Sequence, residues 1–224
     1  MDKPLLMSRV TSIISEINRL TNTLYSLGIT DIQRYPENFE VLSLDAAHRA
    51  EVIACRVRNL VFLDSAINKD EFMQASADAM GIEIKESDDV IEICLPCLLP
   101  KKNKWQSTDL LSEPFMSAVG AFAAKNPTLR FNHCVICFSH IYHREQPERR
   151  VRDYDNIEMK KLLDIAAAYL MLDDSGLLCD AYHTTELGDA DCTKISIMDC
   201  ARFPRWLEEH KPMLKTIEDF VDGT

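Results

Sequence analysis

Leu6, Val10, Ile13, Ile17, Leu20, Leu24 and Leu27 recur at alternating spacings of four and three. One face of this segment therefore stays apolar for about six helical turns. That period belongs to a helix packing lengthwise on another helix. Gly28 follows, where a left-handed C-terminal cap is wanted. Ser43 is placed to cap a second helix running to about Ile67, with Asp45 in its first turn. Asn68 and Glu71 have capping-box spacing, predicting a short third helix that ends before Gly81. Two long helices with a polar connection predict an antiparallel hairpin. Its apolar seam has two readings, an internal core or a surface for another subunit.

The period changes near residue 81. "GIEIKESDDVIEICL" holds two β-like runs about a polar turn, Glu86 to Asp89. Residues 107–125 read as a helix with Pro114 near its start. Residues 129–143, "LRFNHCVICFSHIYH", are apolar on both faces and predict a central strand. Asp155 or Asn156 would cap a helix over about 157–169. "LLCDAYHTTE" and "TKISIMD" are two further strands, and Pro204 to Val221 is a terminal helix. The prediction is an α+β chain: a helical extension over 1–81, a mixed sheet with helices over 82–200, and a C-terminal helix over 201–224.

Composition narrows the function classes. The chain has 224 residues, 46% of them hydrophobic and 27% charged, which suits a folded, water-soluble protein. No run of eighteen apolar residues predicts a membrane span, and "MDKPLLMSRV" lacks a signal peptide's apolar stretch, so a cytoplasmic protein with no membrane partner is expected. The net charge of −11 argues against coating nucleic acid by bulk attraction. The clusters "KKNK" (101–104) and "RRVR" (149–152) nevertheless stand out as local basic tracks.

Three groups of residues carry candidate chemistry. Asp153 and Asp155, two apart, would leave the same face of an extended chain, and hard divalent cations want clustered oxygen ligands. Asp173 or Asp174 would complete such a site only if the chain doubles back, since a thirteen-residue helix spans about 20 Å. The plain alternative is a helix cap at Asp155 and a solvated turn at "DDSG". Arg149, Arg150, Arg152, Lys101, Lys102 and Lys104 suit phosphate contacts or, equally, solvated loops. The pairs Cys94–Cys97 and Cys134–Cys137 have zinc-ribbon spacing, but neither is followed by the glycine of a knuckle, and residues three apart on a strand point to opposite faces. Buried free thiols are the expectation and zinc is not; His140 and His143 read as strand-end residues.

The order of motifs over residues 90–199 resembles the RusA family of Holliday junction resolvases. "LPCLLPKKNKW" carries Leu95, Pro96, Pro100, Asn103 and Trp105 in the family's Pro-rich pattern. Asp153, Asp155 and Asn156 form D-x-D-N, and Asp173–Asp174 follow at the family's interval before two strands. The resemblance implies a RusA-like mixed sheet and a homodimeric, Mg²⁺-dependent endonuclease acting on branched DNA. It gives Asp153, Asp155 and Asp174 as metal ligands and catalytic residues, with Lys160 as a further catalytic candidate. The family's lysine, four residues after the second Asp of D-x-D, is Met159 here, with Lys160 and Lys161 just beyond. Residues 1–85 have no counterpart in the resemblance, and the hairpin could recruit a protein partner. Two alternatives stand beside the nuclease: a fold of this kind that binds nucleic acid or protein without cutting, and a zinc-stabilised structural protein.

Overall fold

The computed structural model describes residues 3–62, 68–102, 109–145 and 151–210. Elements run α1 (Lys3–Gly28), α2 (Pro36–Phe62), α3 (Lys69–Met80), β1 (Glu83–Ser87), β2 (Val90–Leu95), α4 (Asp109–Lys125), β3 (Cys134–His143), α5 (Lys160–Leu170), β4 (Cys179–Gly188), β5 (Cys192–Asp199) and α6 (Phe203–His210). The fold is α+β. It comprises two compact units, Met1–Asn68 and Lys69–Thr224. The boundary expected at residue 81 therefore lies earlier, and the third helix goes with the sheet. The reason is burial: Ala77 of α3 is fully enclosed in the core under the sheet.

In the first unit α1 and α2 pack together as predicted, but two details differ. Gly28 is not in the left-handed region, since Gly81 is the positive-φ glycine among the described residues. α1 instead closes with Thr30 N–H on Leu27 O and the Thr30 hydroxyl on Ser26 O. α2 starts at Pro36, not Ser43. The Asp31 carboxylate accepts from the backbone of Gln33 and Arg34, and proline is favoured at a first helical position because its missing N–H would be unpaired anyway. Ser43 lies inside the helix with its hydroxyl on Phe39 O.

The second unit is built on a five-stranded sheet of order β1-β2-β5-β3-β4, in which β3 and β4 are parallel and the other neighbours antiparallel. α3 ends in a Schellman turn: Ile82 N–H reaches Ala77 O and Gly81 N–H reaches Asp78 O. Gly81 sits there at φ +75°, which only glycine adopts cheaply. β1 and β2 join through Asp88 and Asp89, both at positive φ, in the two-residue turn that matches strand twist. One sheet face, including Ile91, Ile93, Ile136, Phe138, Ile195 and Ile197, is covered by α4 and α5 through Phe115, Val119, Leu162 and Leu170. The other carries Val135, Cys137 and Met198 beneath Trp206 of α6. The terminal helix is described as far as His210; its expected continuation to Val221 lies outside the described residues.

α5 begins at Lys160, later than 157, and Asp155 does not cap it. Its N-cap position is Met159, which makes no side-chain hydrogen bond there. The backbone of Asn156 to Glu158 is committed elsewhere, as described next, and so cannot start a helix.

Candidate functional site

The D-x-D-N segment forms a short 3₁₀ turn, Tyr154–Asn156, with Asp153 just before it. Asp153 is still extended, at φ −66° and ψ 141°, but Asp155 is inside the turn. The expected extended chain is therefore interrupted, and the same-face argument for the two carboxylates does not hold, because a 3₁₀ turn rotates about 120° per residue. Both side chains are exposed, and neither carboxylate has a hydrogen bond or ion pair among the described residues.

Three sets of bonds hold this turn. Lys102 N–H donates to Asn156 O at 2.6 Å and Glu158 N–H to Pro100 O at 2.9 Å, making an antiparallel bridge between Lys101 and Ile157. Arg152 donates its backbone N–H to the Tyr142 hydroxyl at 3.1 Å and its guanidinium to Leu99 O. The Tyr154 ring lies 5.2 Å from His183 and 5.8 Å from His140, and its hydroxyl meets the Thr185 hydroxyl at 3.0 Å. Segments about fifty positions apart in sequence are thus joined by main-chain bonds, and the turn rests on the parallel pair β3–β4.

His140 and His183 form the floor, their rings 6.0 Å apart and nearly parallel. His140 is 1% exposed, well inside the sheet face, so it is not the strand-end residue the sequence suggested. Burial lowers its pKa to about 4, reinforced by His183 and by the Arg152 guanidinium. Burial lowers that of His183 too. Charging either ring would require desolvating a cation. His140 Nε2 and His183 Nδ1 have no hydrogen-bond partner among the described residues. His140 was read from sequence only as a strand-end residue, and His183, Tyr154 and Thr185 carried no expectation. The available signal was a histidine in an otherwise apolar strand and an aromatic between two aspartates.

The remaining candidates fall as follows. Lys101 and Lys102 are exposed beside the turn. Arg152 is half-buried, with part of its fork committed to Leu99 O, which makes it a brace for the turn before it is a phosphate contact. Lys160 pairs with Asp164 at 3.0 Å, and its pKa is raised chiefly by that carboxylate, with a smaller contribution from the charge of Asp174. Asp174 also acts on Cys179 at the start of β4, so its charge is sensed by α5 and β4 together. Its backbone N–H donates to the Asp173 carboxylate at 2.9 Å. Among the described residues no three His, Cys, Asp or Glu side chains are gathered to hold a metal ion, so Asp153, Asp155 and Asp174 are not assembled into a ligand set. Lys104, Arg149 and Arg150, with Asn103 and Trp105, lie outside the described residues.

The cysteine pairs do not converge. Cys134 belongs to the core under α4 and α5, and Cys137 to the cluster under α6, on opposite sheet faces. All eight cysteines are free thiols, and burial pushes both Cys134 and Cys137 up to about 12.

Residues 2–221 match a family described as a family of unknown function (DUF6100). The chain belongs to this family. No curated protein matches the sequence. The DUF6100 match spans both units, so the helical hairpin and the sheet unit are parts of one family architecture. No helix among the described residues of this DUF6100 chain is long and apolar enough to cross a membrane.

Proposed function

We propose that this chain is a Mg²⁺-dependent, structure-selective endonuclease with a RusA-like core, a homodimer that hydrolyses phosphodiester bonds in branched DNA. The observation that carries the reading is the main-chain bridge between Lys101 and Ile157, which sets an exposed basic stretch against an exposed pair of carboxylates. Cation-binding oxygens beside phosphate-binding lysines are what a metal-assisted nuclease needs.

The donor chemistry fits magnesium. Unpaired carboxylate oxygens are its preferred protein ligands, supplemented by water and substrate phosphate. Asp153 and Asp155 would hold the ion, with Asp174 as the third ligand. When bound, it would polarise the phosphate and lower the pKa of an attacking water. The chain's own contribution is positional. Lys101 and Lys102 attract the phosphate backbone, Arg152 ties the turn to Leu99, and Tyr154 seats it on His183 and Thr185. Lys160, held by Asp164, would be freed for a phosphate oxygen only by leaving that partner.

That ion pair, and a ligand set not yet gathered, favour a second reading: binding of branched DNA without cleavage. Incubating the protein with labelled four-way junctions and Mg²⁺ separates the two. Cleavage by the wild type, abolished by Asp155→Asn and kept by Asp164→Asn, is the expected result. Mg²⁺-dependent binding with intact junctions would leave the non-cutting reading. Neither binding nor cleavage would refute both.

A further inference from the structure

The contacts between α1 and α2 fix which residues of the hairpin face each other. Thr23 bonds to Asp45, Glu16 pairs with Arg49 and Ser12 meets Arg56, so each step along α1 is matched by a step back along α2. That register sets Arg9 across from Asn59. The two line a cleft of about 340 Å³ together with Ser12, Arg56, Ile13 and Leu60, a volume within the range of small-molecule sites.

This cleft is electropositive in a chain of net −11. Residues 3–15 and 52–62, which carry its lining, hold Lys3, Arg9, Arg56 and Arg58 and no Asp or Glu. The next carboxylate along α1, Glu16, is shared among Arg19, Arg49 and Arg56, and its contact with Arg56 is the longest at 3.9 Å. One negative charge divided among three guanidiniums leaves this end of the hairpin cationic. At the loop end the balance reverses, with Asp31, Glu37, Glu40 and Asp45 against Arg34. An anion is therefore drawn to the cleft end.

The lining is rich in donors that have nothing to donate to. Arg9 and Asn59 make no hydrogen bond or ion pair among the described residues. Arg56 gives Nη1 to Ser12 Oγ at 3.0 Å, and its other N–H groups have no acceptor among those residues. Thr11, Thr21 and Ser26 donate their hydroxyls to carbonyls of their own helix. Ser12 does not; its oxygen accepts from Arg56, which leaves its proton to the cleft.

We propose that this cleft binds a soluble phosphate monoester. Arg9 and Arg56 would hold the dianionic head, Ser12 and Asn59 would donate to its oxygens, and its organic body would lie on Ile13 and Leu60. A monoester presents three terminal oxygens and nearly two charges to this donor set, whereas a carboxylate presents two oxygens and one charge. A cleft of this size accepts a ring or short chain and not a two-chain lipid. The site lies wholly in the hairpin unit and is independent of what the sheet unit does.

Calorimetric titration of the full chain with phenyl phosphate, without Mg²⁺ or DNA and at about pH 7.5, where the monoester is nearly a dianion, tests this. Saturable one-to-one binding is expected, with benzoate at least about tenfold weaker. Arg9→Gln, at an exposed residue with no partner to lose, should weaken phenyl phosphate about tenfold with helicity intact by circular dichroism. Arg34→Gln at the loop end and Asp155→Asn in the sheet unit should leave the affinity unchanged, which separates this site from the nuclease reading. Absence of saturable binding overturns the proposal, as does an Arg9→Gln variant that binds like the wild type or benzoate binding as tightly as phenyl phosphate. A wild type that ignores phenyl phosphate but sediments with phosphatidic acid vesicles would assign the cleft to a lipid head group, and overturns it equally.

Discussion

The hairpin unit and the sheet unit solve the same problem in opposite ways. In the hairpin, Ile13 and Ala46 are the buried apolar side chains among the described residues, and much of the ordering comes from polar contacts. Glu16 with Arg49, and Asp45 with Thr23, tie α1 to α2, while Asp45 also pairs with Arg49 along α2 itself. In the sheet unit, Ile91, Ile93, Leu95, Phe115, Ile136, Leu162, Leu170, Ile195 and Ile197 are at or below 1% exposed. Exposed ion pairs contribute little to stability, whereas each buried aliphatic contributes roughly 1.5–3 kcal/mol. The sheet unit is therefore the stable part, and the hairpin leaves Met7, Ile14, Ile17 and Leu24 exposed.

The sharpest contrast comes from truncating one core residue in each unit. Phe115→Ala should cost about 3–5 kcal/mol and lower the urea midpoint of the sheet unit. Ile13→Ala should cost about 2 kcal/mol, at the low end for such a change, because its surroundings are open enough to relax. Equal losses would break the comparison.

Acid should act on the sheet unit through His140. Its folded-state pKa of about 4 lies below the ordinary value of 6.5, so between those limits the unfolded chain binds more protons than the folded one. The stabilisation is present above pH 6.5 and is lost as pH falls toward 4. The difference amounts to on the order of 3 kcal/mol. His140→Leu should flatten the dependence of urea stability over that window; an unchanged slope would show that His140 does not titrate as its burial demands.

Metal should also act on the sheet unit alone. Mg²⁺ at about a hundredfold excess over its dissociation constant should raise stability by ~2.7 kcal/mol in the wild type and by much less in Asp155→Asn. Thermal melts of both, with Asp164→Asn as control, check this. The smallest effect belongs to Tyr154→Phe, which removes one exposed hydroxyl contact with Thr185 and should cost about 0.5–1.5 kcal/mol or less. Its ring still stacks on His183, so a larger loss would mean that the hydroxyl, and not the stack, holds the turn.

Local pattern carried the elements a long way. The hairpin turn at Asp88–Asp89 lies within the expected Glu86 to Asp89, the strands at Cys179–Gly188 and Cys192–Asp199 lie within about two residues of expectation, and the third helix ends before Gly81, whereas the strand expected over 129–143 is Cys134–His143. Each is set by interactions within a few residues. One error arose where a distant segment competes for the backbone, the other from a turn signal a few residues upstream. α5 starts late because Pro100 and Lys102 take the main-chain groups of Glu158 and Asn156. α2 starts early because Pro36 and the Asp31 carboxylate end the loop before Ser43 is reached.

The candidate site divides along the same line. Asp153, Asp155, Lys101 and Lys102 were legible as residue types in a recurring order, and order survives in a linear string. That Lys101 lies beside Ile157, that Arg152 braces Leu99, and that Tyr154 rests on two buried histidines depended on strand register and on the parallel pairing of β3 with β4. Sequence by itself determined the helical and strand periods, the acidic balance and the heptad seam of α1, because these depend on near neighbours and composition. Tertiary structure alone decided which part of that seam is covered, which histidine loses water and which carboxylates stay unpaired. Those outcomes turn on which surfaces meet, and no residue's identity specifies what will lie against it from fifty positions away.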